Sequence, residues 1–501
     1  MSLLRPRNVL FLLAAFYMAR LALVAHLPLA PDEAYYWYWS QNLDLSYMDH
    51  PPMIAYLIAL STALGGNTGF FVRFGGLVLT ALALCLLYLT GRALFPERRE
   101  TSLNVLLLLN VTLLFSAGCL VNTPDTPLLF FWAIAVYCGS RILTGGAPSW
   151  WYGWGAALGL GLLSKYTMIL IVPCTFAFLA ASREDRRWLF RKEPYLALLM
   201  GIVLFTPVIL WNWRHDWVSF AFQLHHGFSP VRQAAAPKLL SYLAGQAGFV
   251  TPLLFLAFVI ASVTAIRAVF KYGNRTYLYL LFLSWPVILF FAVSTARGHV
   301  AEANWTTPAY IAGLLLTQSV YEKYFEAGAG HRRFYIAAVV LALTANILLH
   351  LHLVRPYLPV RPEKDITRRF HDWPGLGRTV ADFIRERPDR NGYFLVSDTG
   401  TTVAEAVFYT GGKYTGVDLF RPERYLFLKD PEKLRGMDAI ILTHQSPEHA
   451  LGTFAPRFGN VEALGRRPYV YRGEEIKALS VNILLGTNYL GDLPGSRGRR
   501  D

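Results

Sequence analysis

Two short polar segments near the start of the chain carry side chains capable of acid-base chemistry. Asp32 and Glu33 open a segment rich in Tyr and Trp, and the pair Asp49-His50 stands directly before two prolines. Both segments follow an apolar run over residues 9–29, where the chain would leave a bilayer. Placing a carboxylate at such a position costs free energy, so its presence there indicates a functional role. Because carboxylate and imidazole groups can transfer protons, the first candidate site is placed on this loop.

The local sequence predicts how the loop presents these groups. The prolines after His50 cannot continue a preceding helix and bias His50 toward an extended conformation, so Asp49-His50 is expected on a turn. Residues 53–64 then form a predicted short helix, too short to span a bilayer and therefore placed along its interface. The first outer loop, with its interfacial helices, is assigned to residues 28–70.

Composition indicates a membrane protein that crosses the bilayer many times. Of 501 residues, 54% are hydrophobic and only 16% are charged, well below the usual quarter. The formal charge of +14 comes from short Lys and Arg clusters between apolar runs, which the positive-inside rule explains. No nucleic-acid partner is therefore expected.

The basic clusters also predict the topology. Arg5 and Arg7 place the N-terminus in the cytoplasm, and the first span carries Asp32 to the opposite face. Counting onward gives about eleven transmembrane helices, assigned to residues 1–354. The last one exports the C-terminus.

Residues 355–501 have a different character, because charged residues, glycines and prolines return. Short apolar runs at residues 392–397 and 438–443 are typical of buried strands, and residues 402–409 are typical of a helix. The sequence therefore predicts a small α/β domain outside the cytoplasm, with a disordered tail over residues 495–500.

An acid pair just after the first transmembrane helix, followed by an acid-basic-Pro-Pro element, resembles the polytopic GT-C glycosyltransferases. Among them it is similar to the protein mannosyltransferases and the lipid A aminoarabinose transferases, which take a sugar from a polyprenyl-phosphate carrier. The resemblance is close in the first loop and only general in the C-terminal part. It implies a bacterial inner-membrane enzyme whose active site and C-terminal domain face the periplasm. The expected acceptor is lipid A, lipopolysaccharide core, a polysaccharide or a protein.

The resemblance also implies roles for the acid pair. Asp32 matches the catalytic acid of the family and is expected to be the base, with Glu33 orienting it or the acceptor. Direct attack assisted by one carboxylate should invert the anomeric configuration. The structural alternatives are that Asp32 caps a helix beginning at Glu33 and that Glu33 is an exposed first-turn acid favoured by the helix dipole.

Three cations are candidates for binding the donor phosphate. His50 stands where the aminoarabinose transferases usually have lysine, Lys165 interrupts an apolar stretch, and Arg297 follows a predicted span. Arginine matches phosphate oxygens in a bidentate manner, and lysine facing lipid would be costly. The alternatives are a plain turn at His50, a Lys165 side chain that reaches the interface, and a lipid headgroup contact by Arg297.

Aromatic and amide side chains could contact the sugar. The sequence offers Tyr35, Trp37, Asn304 and Trp305 as substrate-binding candidates. The alternative for the aromatic residues of the first loop is an interfacial belt.

A divalent metal, zinc or magnesium, is suggested by the aminoarabinose transferases. Asp49, His299 and Glu302 are the candidate ligands. His299 and Glu302 share a face if their segment is helical, but spacing alone would not support a site, and solvated side chains are the alternative. His215, Asp216, His225 and His226 form a rival cluster in another outer loop.

A transporter or flippase for a lipid-linked sugar is the alternative function. Transporters place charged groups near the middle of broken helices, whereas the charges here cluster on outer loops, as catalysis at a membrane surface requires.

Overall fold

The computed structural model describes residues 6–228, 235–297, 302–324, 328–387, 392–428 and 431–491. These residues form α-helices α1–α20, strands β1–β7 and several short 3-10 helices. The helices are α1 Pro6–His26, α2 Pro31–Ser40, α3 Met53–Gly65, α4 Gly69–Leu94, α5 Arg99–Val111, α6 Leu113–Gly118, α7 Asp125–Leu143, α8 Trp150–Leu162, α9 Ile171–Ala181, α10 Glu193–Arg214, α11 Val218–Phe228, α12 Ala235–Val250, α13 Pro252–Tyr272, α14 Arg275–Phe282, α15 Trp285–Ala296, α16 Thr307–Tyr324, α17 Ala329–Val354, α18 Trp373–Arg385, α19 Gly400–Tyr409 and α20 Pro447–Phe454. The strands are β1 Tyr393–Ser397, β2 Gly416–Asp418, β3 Asp438–Thr443, β4 Phe458–Arg467, β5 Val470–Tyr471, β6 Glu474–Glu475 and β7 Val481–Tyr489.

Seven helical segments of the described chain are long and apolar enough to cross a membrane. They are Pro6–His26, Gly69–Leu94, Asp125–Leu143, Glu193–Arg214, Pro252–Tyr272, Arg275–Ala296 and Ala329–Val354. Shorter apolar helices occur at Met53–Gly65, Glu100–Val111 and Tyr166–Ala181. The chain is thus a multi-pass membrane protein, while the number of eleven spans stays a prediction.

The chain divides into two compact units. Unit 1 comprises Met1–Ala22, Gly76–Leu210 and Phe220–His350, and unit 2 comprises Leu23–Gly75, Trp211–Ser219 and Leu351–Asp501. The boundary near residue 350 lies close to the one expected from composition. The first outer loop, however, belongs with the C-terminal residues and not with the helical part to which the sequence assigned it.

Unit 1 is a helical body with one large apolar core. One buried polar contact within it joins α1 to α5: the guanidinium of Arg20 donates from Nη1 to Asn110 Oδ1 at 2.5 Å. The expected interruption at Lys165 is present, because α8 ends at Leu162 and a 3-10 helix, Tyr166–Leu170, precedes α9.

Unit 2 contains a five-stranded sheet with the order β2-β1-β3-β7-β4. β1 pairs in parallel with β2 and β3, whereas β7 runs antiparallel to β3 and β4. The predicted strands at residues 392–397 and 438–443 and the predicted helix at residues 402–409 are confirmed as β1, β3 and α19. The tail over residues 495–500 lies outside the described residues.

Both faces of the sheet are covered, which explains its continuous apolar strands. Successive side chains point to opposite faces, so Leu395 and Ile440 join a cluster that includes Trp37 of α2. Phe394 and Ile441 join the opposite cluster, which includes Phe454 of α20. The first loop is therefore part of the hydrophobic core of unit 2.

The aromatic residues of α2 are core residues of that unit, which corrects both expectations for them. Tyr35, Trp37 and Trp39 are at most 5% exposed. The Trp37 ring meets Phe408 of α19 edge-on at 4.9 Å between centroids. Neither an interfacial belt nor an open sugar-stacking surface is formed by Tyr35 and Trp37, because their apolar area is buried against α19 and its neighbours.

Candidate active site

The acid pair stands in the first turn of α2. This helix begins at Pro31 with Ala30 as its N-cap, and proline is favoured at the first helical position because it has no N–H to satisfy. Asp32 is therefore inside the helix and not its cap, so the capping alternative does not apply. Its side chain is 50% exposed, and Oδ2 lies 3.8 Å from Nη1 of Arg369, whose side chain is also exposed.

Glu33 is fully buried, in contrast to the exposed acid that the sequence allowed. Arg73 of α4 binds it in a bidentate manner, with Nε 2.8 Å from Oε1 and Nη2 2.5 Å from Oε2. Glu33 Oε2 also accepts the backbone N–H of Ala30 at 2.9 Å. This carboxylate therefore fixes the start of the helix that carries Asp32, which fits an orienting role better than proton transfer.

Asp49 is buried and paired on both oxygens. Oδ2 accepts a hydrogen bond from Tyr35 Oη at 2.9 Å, and Oδ1 lies 3.2 Å from Nη2 of Arg424. The neighbouring His50 is partly buried, with its ring 6.2 Å from that of Tyr36. Arg424, which was not among the cations selected from the sequence, thus lies beside Asp49.

Lys165 belongs to a polar cluster of unit 1. Its Nζ lies 2.7 Å from Asp125 Oδ1, and Asn304 Nδ2 donates to Asp125 Oδ2 at 3.1 Å. Two residues selected independently from the sequence are therefore joined through one carboxylate at the N-terminus of α7. The Lys165 side chain retains 11% exposure, so the ammonium is not fully enclosed.

The other candidates of unit 1 are more dispersed. Arg297 is exposed at the C-terminal end of α15, and Glu302 is exposed ahead of a short 3-10 helix. The Trp305 ring lies against Phe291, with 5.6 Å between centroids. His299 lies outside the described residues.

The proposed metal ligands fit an ion poorly at Asp49. Its carboxylate already balances Arg424 and accepts from Tyr35, whereas a ligand to Zn²⁺ or Mg²⁺ must direct an oxygen at the ion. Within the described ranges, no group of three or more His, Cys, Asp or Glu side chains has the arrangement of a metal site. The metal stays a prediction based on the resemblance.

In the rival histidine loop, His215 contacts the nearby Trp211. His215 Nδ1 lies 2.8 Å from the carbonyl oxygen of Trp211, and the two rings stack at 4.1 Å. Asp216 adopts a positive φ of 52°. The side chains of His225 and His226 are not among those described.

Sequence reasoning missed three residues that organise these sites. Arg73 and Asp125 carried a signal, since each is a lone charge at the end of an apolar helix and requires a partner. Arg424 gave no signal, because many arginines precede it in the C-terminal domain and only the fold selects one.

Comparison with known proteins agrees with this fold. Residues 49–211 match the model of the dolichyl-phosphate-mannose-protein mannosyltransferase family. The lipid A galacturonosyltransferase RgtD of Rhizobium johnstonii is 28% identical over 426 residues, which is 81% of this chain and 83% of that protein. The undecaprenyl phosphate-alpha-4-amino-4-deoxy-L-arabinose arabinosyl transferase of Edwardsiella ictaluri is 28% identical over 199 residues, covering 38% of this chain and 35% of that enzyme.

The solved structures extend the agreement to nearly the whole chain. ArnT from Cupriavidus metallidurans in the apo state superposes with a TM-score of 0.65 at 14% identity, covering 95% of this chain and 98% of ArnT. Its form bound to undecaprenyl phosphate gives a TM-score of 0.64. At this identity the likeness establishes the fold, and the two sequence relatives described above are named as transferases of sugars. The chain accordingly is a multi-pass membrane protein with the fold of ArnT.

Proposed function

We propose that this enzyme transfers a sugar from a polyprenyl-phosphate donor to lipid A on the periplasmic face of the inner membrane. The extensive match to a protein named lipid A galacturonosyltransferase supports the acceptor. The donor class is supported by the arabinosyl transferase relatives and by the ArnT fold bound to undecaprenyl phosphate. Lipopolysaccharide core, polysaccharide and protein are the other acceptors that the resemblance allows.

The observation that carries the proposal is the contrast between two adjacent acids. Glu33 is buried and held by Arg73, whereas Asp32, one residue earlier on the same helix turn, is half-exposed. The 3.8 Å ion pair between Asp32 and Arg369 joins two exposed side chains, and such pairs are weak in solvent. Asp32 is therefore the member of the pair that can approach a substrate, and the Glu33–Arg73 pair keeps its helix turn in place.

The reaction requires one proton transfer and one displacement. As the acceptor oxygen forms a bond to the anomeric carbon, the bond from that carbon to the donor phosphate oxygen breaks. The bonding electrons leave with the polyprenyl phosphate, and the acceptor proton moves to Asp32. A single displacement of this kind inverts the anomeric centre.

Positive charge is needed where the phosphate leaves. Lys165, Arg297 and His50 are the residues we assign to this role. Among the candidates of unit 1, Lys165 is largely buried and held by an ion pair, whereas Arg297 is exposed. Asp125 holds the Lys165 ammonium in position, and Asn304 donates a hydrogen bond to Asp125. A cytoplasmic N-terminus and a periplasmic C-terminal domain complete the proposal, on the basis of the basic inner clusters.

The test is transfer of labelled sugar from a polyprenyl-phosphate donor to lipid A in membranes containing wild type or Asp32→Asn. Loss of a general base costs about 10²- to 10⁴-fold in rate, so we expect a loss of that size. Asp382→Asn is the matched control, because Asp382 is 54% exposed and pairs with Arg385 in the same unit. Full transfer by Asp32→Asn would refute the base assignment. Absence of transfer by wild type with every polyprenyl-phosphate sugar tried would refute the donor class.

A further inference from the structure

Glu405 is a buried carboxyl group that the reaction as described does not use. It lies on α19, which packs against α2, and its side chain is 0% exposed. Neither carboxyl oxygen has a hydrogen-bond partner among the residues that the structure describes. A buried polar group without partners is rare and destabilising, so its presence calls for a functional explanation.

The groups around Glu405 come from several elements of unit 2. Glu33 and Asp32 face it from α2, Arg73 faces it from α4, and Tyr409 stands one turn later on α19. Tyr469, which follows β4, is a further titratable neighbour. The two acids of the candidate active site are thus electrostatic neighbours of Glu405.

Arg73 cannot neutralise Glu405. A guanidinium has five N–H donors, and those of Arg73 are directed to the Glu33 carboxylate and to backbone carbonyls. Leu27 and Pro28 accept at 2.8 Å, and Val24 accepts at 3.4 Å. The positive charge of Arg73 therefore faces several carboxyl groups, and its hydrogen bonds go to Glu33 and to backbone carbonyls.

An ionised Glu405 would be a buried, unpaired anion beside Glu33, which is strongly unfavourable. Burial first and then the negative charge of Glu33 raise the pKa of Glu405 well above its ordinary value. Burial and the neighbouring carboxylate both favour the neutral form of this carboxyl group.

We propose that Glu405 is a positioning residue for the transfer reaction, which in its neutral form lets α19 pack on α2 and in its ionised form separates these helices. Ionisation would place a second negative charge against the Glu33–Arg73 pair and displace the helix turn that carries Asp32. The effect on catalysis rests on the proposed role of Asp32, whereas the effect on helix packing does not.

The test compares wild type with Glu405→Gln, a neutral side chain of the same shape, and with Glu386→Gln as an exposed control in the same unit. At pH 7 we expect the three proteins to transfer sugar at rates within about twofold, because neutral Glu405 and Gln are equivalent. Burial raises the pKa of Glu405, so its ionisation is shifted toward alkaline pH. Between pH 7 and 10, wild type and Glu386→Gln should therefore lose activity at least about fivefold more than Glu405→Gln.

Two measurements that need no sugar transfer keep this proposal separate from the proposed function. The infrared band of a protonated carboxyl group should be present in wild type at pH 7 and weaker in Glu405→Gln. Hydrogen exchange of the α2 and α19 amides, corrected for the intrinsic pH dependence, should accelerate at alkaline pH in wild type but not in Glu405→Gln. Identical alkaline profiles of wild type and Glu405→Gln would overturn the proposal. So would a tenfold loss of transfer by Glu405→Gln at pH 7, because the ionised form would then be the one required.

Discussion

The guanidinium of Arg73 and the carboxylate of Glu33 form a buried, bidentate ion pair, 1% and 0% exposed, that joins α4 to the first turn of α2. Its partners are far apart in the chain, and the pair lies one residue from the candidate base. The pair therefore connects the stability of unit 2 with the placement of the chemistry.

Removing one member of this pair should destabilise the protein. Arg73→Met removes the positive charge that balances the buried Glu33 carboxylate, which costs about 3–5 kcal/mol. We expect a lower midpoint of thermal unfolding in detergent and, in the same variant, reduced transfer. The double variant Glu33→Met/Arg73→Met should unfold at a higher temperature than Arg73→Met alone. Arg385→Met, which breaks an exposed pair, should change the unfolding midpoint little. An equal decrease of the midpoint in Arg73→Met and Arg385→Met would contradict this account.

Lys165 should affect use of the donor more than it affects stability. Loss of a hydrogen bond to a charged group costs about 1.5–3 kcal/mol, so Lys165→Met should lower kcat/KM for the polyprenyl-phosphate donor roughly 10- to 150-fold. Asp125→Asn removes the partner of Lys165 but keeps the ammonium, and should lower kcat/KM less. A Lys165→Met protein that has unchanged kcat/KM and only a lower unfolding midpoint would show that the ion pair is purely structural.

Asp49 should stabilise the protein by pairing with Arg424 and should not bind a metal ion. Asp49→Asn removes the charge that balances Arg424 while keeping the shape of the side chain, so we expect a lower unfolding midpoint. The metal content of the purified protein, measured by elemental analysis before and after chelator treatment, should be the same in wild type and variant. Loss of bound zinc or magnesium in Asp49→Asn alone would instead support the ligand role suggested by the family resemblance.

Asp398 should make the sheet of unit 2 sensitive to acid. Burial acts to raise the pKa of Asp398, but hydrogen bonds from His444 and Thr443 more than offset it and hold the pKa below the ordinary value. The folded protein then binds fewer protons at this site than the unfolded chain, whose aspartates titrate near about 3.9. The stabilisation is present above that pH and is lost as pH falls through the folded pKa.

The corresponding measurement is the unfolding midpoint of wild type and Asp398→Asn between neutral pH and pH 3. We expect Asp398→Asn to be less stable at neutral pH and to lose less stability on acidification. The exposed Asp382→Asn variant should retain the wild-type slope. Parallel curves for wild type and Asp398→Asn would rule out this residue as a source of acid sensitivity.

The sequence by itself determined the local features of this protein. Apolar length and basic clusters identify a multi-pass membrane protein, and the runs at residues 392–397 and 438–443 identify β1 and β3, because burial on both faces requires continuous apolar strands. The break at Lys165 was likewise predicted, since a charge in an apolar stretch has a local physical cause. The start of α2 at Pro31 was not predicted, because the sequence placed that start at Glu33.

Only the tertiary structure decided which of these groups are paired and which are accessible. Asp32 and Glu33 are adjacent and chemically similar, yet Glu33 is buried and paired with Arg73, whereas Asp32 is half-exposed. From the sequence, the Tyr and Trp residues of α2 could have faced a membrane or a sugar. In the structure they pack against α19 and form part of the hydrophobic core. Nothing in the local sequence distinguishes Glu405 from other glutamates, because its raised pKa depends on burial and on charges contributed by distant parts of the chain.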